Sequence, residues 1–128
     1  VCNDNTSTIV QCESLEGLRN VDEIAAMPGI DGIFIGTGDL SLEMGIKFKA
    51  DSSANHTVDS PEMVAAIDKV LQACKRNGKI SGIVTASADD AARRVKQGFQ
   101  LVTCMNDLGF FCSRSKQHLN TIKEAIQK

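Results

Sequence analysis

The sequence predicts an α/β domain of four consecutive β-α units, and three observations carry that expectation. Short apolar runs suited to buried strands alternate with segments whose apolar residues recur at helical spacing. The first three helical segments each close on Gly or a Pro-Gly pair before the next apolar run begins. The resulting order, β-α-β-α-β-α-β-α, implies parallel strands joined by right-handed crossovers, with helices covering the sheet.

Taken in order, Thr8–Glu13 (TIVQCE) is a short apolar run suited to a buried strand. Leu15, Leu18, Val21, Ile24 and Ala25 follow at helical spacing, and Pro28-Gly29 stops that helix. Gly32–Gly36 (GIFIG) is the second strand, apolar on both faces. A loop comes next, with a short turn at Leu40–Met44 and a polar stretch from Lys47 to Asp59. Ser60 is placed as an N-cap, Pro61 as the first helical residue and Glu62 in the first turn. Met63, Ala66, Ile67, Val70, Leu71 and Cys74 form that helix's apolar stripe, with Gly78 at its end. Ile80–Val84 is the third strand. Ser87 opens a helix that runs to Gln97 and is closed by Gly98, and Phe99–Met105 is the fourth strand. The last helix lies within Leu108–Gln127, with Leu119, Ile122 and Ile126 on its apolar side.

Two architectures satisfy this order: half of an eightfold barrel, or a small open doubly wound sheet. A complete barrel takes about 250 residues. The 128 residues here are one compact domain or a single partial domain, about half of such a barrel. Periodicity and length do not choose between the two. The chain opens on Val1 and reaches a strand within a few residues, which leads us to expect a piece of a longer polypeptide.

Composition narrows the function classes. A net charge of −2 and the absence of Trp and Tyr offer neither an electrostatic footprint nor the usual stacking platforms for nucleic acid. No apolar run approaches the length of a membrane span, and no signal-peptide pattern opens the chain. The five cysteines (Cys2, Cys12, Cys74, Cys104, Cys112) are odd in number and irregular in spacing. They are expected to be buried, reduced thiols in a cytoplasmic protein. The sequons at Asn5 and Asn55 then read as chance matches.

Ligands of parallel α/β folds bind at the carboxyl ends of the strands, and two acids sit there. Glu13 closes the first strand, and Asp39 follows the second, just past Gly36-Thr37-Gly38. Neighbouring strands are about 4.8 Å apart, so side chains leaving their tops can reach one ion. Carboxylate oxygens suit a hard cation such as Mg²⁺ or Mn²⁺, which often takes only one or two protein carboxylates and keeps positions for water and substrate. Strand alternation puts Gln11 on the side of Glu13 and Cys12 on the other, toward the helices. Gly36 and Gly38 leave room for backbone to approach a small anion. Acids at strand ends also serve as helix caps or solvated loop residues, and spacing alone does not choose. A nucleotide site on Gly36-Thr37-Gly38 lacks both the third glycine and the Lys-Ser/Thr pair that such a site needs.

Residues 9–45, IVQCESLEGLRNVDEIAAMPGIDGIFIGTGDLSLEMG, resemble the signature stretch of the HpcH/HpaI aldolase family. That family includes 4-hydroxy-2-oxo-acid aldolases, 2-keto-3-deoxy sugar-acid aldolases and macrophomate synthase. Its Q-I-E strand end is matched by Gln11-Cys12-Glu13, its N-x-x-E-I by Asn20 through Ile24, and its P-G-x-D-G by Pro28 through Gly32. Its F-I-G-P-x-D-L-S turn is matched by Phe34 through Ser41, and the interval from Glu13 to Asp39 fits the family's two metal ligands. Similarity continues more weakly through the GKISGIV and LVTCMND strands.

The resemblance implies the C-terminal half, units five to eight, of a TIM (β/α)8 barrel of the phosphoenolpyruvate/pyruvate type. It implies that Glu13 and Asp39 bind a divalent metal, Mg²⁺, Mn²⁺ or Co²⁺. By the same pattern Gln11 contacts a pyruvate-like keto acid, the backbone at Gly38 and Asp39 receives its carboxylate, and Val84 lines the pocket. The implied activity of the parent protein is that of a class II aldolase, cleaving 4-hydroxy-2-oxo acids to pyruvate and an aldehyde by Lewis-acid stabilisation of the enolate. No lysine stands at a strand end for imine chemistry. Asp107 follows the last strand as a structural or supporting acid.

Thr37 replaces the usual proline, Gly38 stands where alanine is common, and Cys12 replaces an aliphatic residue. The family's proton-transfer histidine and substrate arginine belong to the first half of the barrel, and neither His56 nor His118 matches that histidine. The chain alone is thus expected to be catalytically incomplete. A non-enzymatic alternative is a half-barrel module that binds a small ligand or another chain. A half barrel has two unpaired outer strands, so either homo-oligomerisation or pairing with a first half is expected.

Overall fold

The computed structural model describes residues 5–46 and 60–127; the polar stretch from Lys47 to Asp59, with His56, lies outside them, as do Val1 and Cys2. Strand β1 is Ile9–Cys12 and β2 is Gly32–Ile35, both within a residue or so of the expected limits. Strand β3 is Ile80–Thr85 and β4 is Leu101–Cys104. The four form one parallel sheet in the order β1-β2-β3-β4, with Gln11 opposite Phe34, Phe34 opposite Gly82 and Gly82 opposite Leu101.

Sequential order decides between the two expected architectures. A doubly wound sheet reverses direction at a switch point and carries helices on both faces. Here each right-handed crossover steps the same way, so the helices collect on one side. Burial agrees. Cys12, Ile33, Ile35, Ser81, Ile83 and Thr85 are buried on the helix side, whereas Ile9, Gln11, Val84 and Leu101 are exposed on the other. The result is half of a barrel, four βα units laid open along the inner face.

The helices follow their sequence signals with two departures. The single helix expected over Leu15–Ala25 is in fact α1 (Leu15–Arg19) and α2 (Val21–Ala26), which meet at Asn20 with φ −92° and ψ 8°. The break leaves carbonyls open at the end of α1. Lys69 Nζ, reaching from the next layer, takes those of Leu18 (2.7 Å) and Arg19 (3.3 Å). The short turn expected at Leu40–Met44 is a full helix, α3, over Thr37–Glu43, with Leu40 and Ser41 buried.

Helix α4 (Pro61–Arg76) is the centre of the core, burying Met63, Ala66, Ile67, Val70, Leu71, Ala73 and Cys74. Ser60 caps it by accepting from Met63 N at 3.2 Å, and Pro61 occupies the first turn. Helix α5 (Ala88–Gln97) starts from the Ser87 cap rather than including it, and Gly98 closes it at φ 105°.

Helix α6 (Asp107–Ile126) buries none of its residues. Leu119, Ile122 and Ile126 do form an apolar side, but they are 56%, 56% and 77% exposed, because α6 has no described neighbour to pack on. The expectation of uniformly buried cysteines needs the same correction. Cys12 and Cys74 are buried between sheet and helix, whereas Cys104 and Cys112, on the edge strand and on α6, are exposed.

Candidate functional site

The site is built on the carboxyl ends of β1 and β2. Gln11 and Glu13 both point to the open face, as alternation requires, and Cys12 points into the helix layer at 4% exposure. The Gln11 side-chain amide donates to Glu13 Oε2. One carboxylate oxygen is thereby oriented by its own strand, and the other keeps its lone pairs for a ligand.

Gly36 is what lets these two side chains lie where they do. A Cβ on Gly36 would stand 2.7 Å from Gln11 Nε2, 2.8 Å from Glu13 Oε2 and 2.9 Å from Glu13 Cβ. The residue makes room for the carboxylate of the neighbouring strand rather than for the approach of an anion, the use expected from its position in the sequence. Gly82 has a similar function in the layer below, where the Phe34 ring covers it at 2.5 Å from the missing Cβ.

Asp39 lies in the first turn of α3, which begins directly after β2. It is exposed, and among the described residues no ion pair holds either it or Glu13. Glu13 and Asp39 therefore leave neighbouring strand ends, both available to a ligand. Among the described residues nothing lies within 4 Å of where a Gly38 Cβ would stand, so they do not require its smallness. Val84 is 38% exposed on the open face, in the layer of Glu13 and Gly36 but two strands from Glu13, about 10 Å away. Asp107 is engaged locally, its Oδ1 accepting from Leu108 N at 2.8 Å, while Asn106 caps α6. His118 is exposed on α6, remote from the strand ends.

One contact goes beyond the sequence expectations. Glu43, at the far end of α3, accepts from Leu15 N at 2.7 Å and joins that helix to the turn after Glu13. The signal was present: 39 and 43 share a helix face, but only once the segment is read as a helix rather than a turn.

Among the described residues no cluster of three or more His, Cys, Asp or Glu side chains gathers as a metal cage. A two-carboxylate donor set is nevertheless the chemistry of a hard divalent cation that retains water and substrate oxygens. The glycine cradle that frees Glu13 fits that use. Among the described residues no helix is long and apolar enough to cross a membrane.

Comparison with known proteins bears on the whole arrangement. The chain is 38% identical over 122 residues to a 5-keto-4-deoxy-D-glucarate aldolase from Enterobacter sp. (strain 638), covering 95% of this chain and 44% of that protein. The corresponding aldolase of Klebsiella pneumoniae is 36% identical over the same span. A crystal structure of an HpcH/HpaI aldolase/citrate lyase family protein from Burkholderia cenocepacia J2315 superposes with a TM-score of 0.83 at 29% identity, over 94% of this chain and 44% of that one. Macrophomate synthase superposes with a TM-score of 0.80 at 29% identity, over 98% of this chain and 41% of its own. The chain thus spans less than half the length of these relatives, as four units of an eight-unit barrel do. The profile of the HpcH/HpaI aldolase/citrate lyase family matches residues 1–113, and with the sequential half barrel and the strand-end acids in place, the chain belongs to that family.

Proposed function

We propose that the parent polypeptide is a metal-dependent carbon–carbon lyase, a class II aldolase that cleaves 4-hydroxy-2-oxo acids to pyruvate and an aldehyde. In this reading residues 1–128 are its C-terminal half and carry the metal and keto-acid site. The observation that carries the reading is the pair of strand-end acids, with Glu13 oriented by Gln11 over Gly36 and Asp39 on the adjoining helix. The likeness to sugar-acid aldolases supports the reaction class.

Glu13 and Asp39 would hold Mg²⁺, Mn²⁺ or Co²⁺. When bound, such an ion supplies Lewis acidity for the bond cleavage. Gln11 has one amide hydrogen engaged by Glu13 and a second available to the keto acid. The first-turn N–H groups of α3, at Gly38 and Asp39, lack intrahelical partners by position and would receive the substrate carboxylate. Val84 would line the wall. The four described cysteines are free thiols, which suits a reducing compartment, and we place the protein in the cytoplasm.

Titration calorimetry with Mn²⁺ and pyruvate tests the site. The unaltered chain is expected to bind both, and Glu13→Gln and Asp39→Asn to lose the metal. Retention of Mn²⁺ by both variants would sink the assignment.

A second reading is favoured by the open sheet face and the two outer strands. On this reading the chain acts as an interaction module, pairing with a first half-barrel or with a second copy of itself. Sedimentation at rising concentration checks self-association; a monomer throughout, unaffected by an added first half, would refute it.

A further inference from the structure

Glu43 is not one of the acid pair, yet its place in the structure connects the two acids. Its carboxylate receives the Leu15 N–H at 2.7 Å, and Leu15 stands two residues beyond Glu13. Glu43 also sits four residues beyond Asp39 on α3, one helical turn away on the same face. The face of α3 that bears both acids is therefore turned toward the β1–α1 junction. Leu40, fully buried on the adjoining face, anchors the helix against the core and fixes the rotation about its axis. Ser41 Oγ donates to Gly38 O at 2.6 Å and tightens the first turn.

From this geometry we infer that Glu43 is a positioning residue for the metal-binding pair: by holding Leu15 N–H it straps the helix carrying Asp39 to the turn that follows Glu13. The inference rests on the proposed assignment of Glu13 and Asp39 as ligands. Without the strap, the described residues hold α3 to the β1 side through β2 and the buried Thr37, Leu40 and Ser41, and the spacing of the two ligands is less tightly fixed. Outer-shell contacts that orient ligands typically change metal affinity 10- to 100-fold.

Both ends of the contact can be removed separately. Glu43→Ala takes away the acceptor. Leu15→Pro takes away the donor at a position where proline is tolerated, since Leu15 is the first residue of α1. Ser14 before it is extended (φ −129°, ψ 157°), as a residue preceding proline must be. Glu43→Gln keeps an acceptor oxygen and removes the charge.

Mn²⁺ affinity is read by calorimetry on the whole chain, with thermal melting alongside. Glu43→Ala and Leu15→Pro are each expected to weaken Mn²⁺ about 10-fold. The double variant should be no worse than either single one, and Glu43→Gln should stay within about threefold of the parent. A fall in melting temperature with unchanged Mn²⁺ affinity would make Glu43 a helix cap only and overturn the inference. Equal losses in Glu43→Gln and Glu43→Ala, with none in Leu15→Pro, would show that its charge acts directly and overturn it as well. If Glu13→Gln and Asp39→Asn retain Mn²⁺, or the parent chain binds none, the ligand assignment itself fails and takes the strap with it.

Discussion

Replacing Gly36 with alanine probes the site through a residue that carries no chemistry. The backbone there has φ −90° and ψ 91°, which any L-residue can adopt, so the substitution introduces no conformational strain. The added methyl would stand 2.7 Å from Gln11 Nε2 and 2.9 Å from Glu13 Cβ, well inside contact distance. Overpacking of this kind costs about 1–3 kcal/mol in a closed core. Here the end of Gln11, exposed on the open face, can swing away, but Glu13 Cβ is held by its backbone, so the middle of that range applies. Loss of unfolded-state freedom on going from Gly to Ala offsets about 0.4–1 kcal/mol of that. The net loss of stability is then about 1–2 kcal/mol. The Glu13 carboxylate, by contrast, must leave its present position, and Mn²⁺ affinity should fall by about 10-fold or more. Urea unfolding and Mn²⁺ calorimetry on the same preparation separate the two effects. Gly38→Ala is the control. Among the described residues it meets nothing within 4 Å, and it sits in a helix, so it should add about 0.5–1 kcal/mol and leave the metal alone. Unchanged affinity in Gly36→Ala, or a loss of stability beyond about 3 kcal/mol, would refute the cradle argument.

Further outcomes follow from other regions of the molecule. Gly32→Ala places a methyl 2.8 Å from the Ile80 carbonyl oxygen, a backbone atom that cannot swing aside, and should cost about 3 kcal/mol in urea unfolding; a cost under about 1 kcal/mol would show that the β2–β3 spacing is slack. Asp90→Ala removes a carboxylate 3.2 Å from Nε of the almost fully buried Arg94 and should cost about 3 kcal/mol, most of it recovered in Asp90→Ala/Arg94→Met. No recovery in the double variant would mean that Asp90 matters chiefly within the α5 first turn. Maleimide should label Cys104 and Cys112 rapidly and reach Cys12 and Cys74 only after unfolding. Burial raises the pKa of Cys12 and of Cys74 above the ordinary thiol value of 9.0. Above that pH the unfolded chain gives up protons that the folded chain keeps, so stability is present below about pH 9 and falls as pH rises further. The urea midpoint should therefore drop between about pH 8 and pH 10 by more in the parent than in Cys12→Ala/Cys74→Ala; equal drops would refute it.

Strand positions and helix caps were legible in the sequence because they rest on local chemistry. Ser60 with Pro61, Ser87 and Gly98 sit where their types predict, and each makes the expected backbone arrangement. Alternation along β1 puts Gln11 with Glu13 and Cys12 away from them. What the periodicity hid were effects of the next layer. Leu15 to Ala25 scan as one helix, and it is Lys69, about fifty residues later, that satisfies the carbonyls at the break. Residues 37–43 open on Thr-Gly-Asp, which reads as loop, whereas the buried Leu40 and the strap from Glu43 make them a helix. The exposure of Cys104, Cys112 and the apolar side of α6 could not be read from type at all. It depends on what lies beside an edge strand and a terminal helix. The choice between barrel half and doubly wound sheet likewise rested on strand order, a property of the whole sheet.

Strand order also shapes how this chain acquires its structure. Each strand pairs only with its predecessor and successor, so growth can proceed from either end without threading. The connections are unequal, however. Between the partners Gly32 and Ile80 runs about twice the length of chain that separates Ile9 from Gly32 or Gly82 from Leu101. Each doubling of a closing loop costs about 0.6 kcal/mol of entropy, enough to slow that closure roughly threefold. The β2–β3 seam is then expected to close more slowly than its two neighbours.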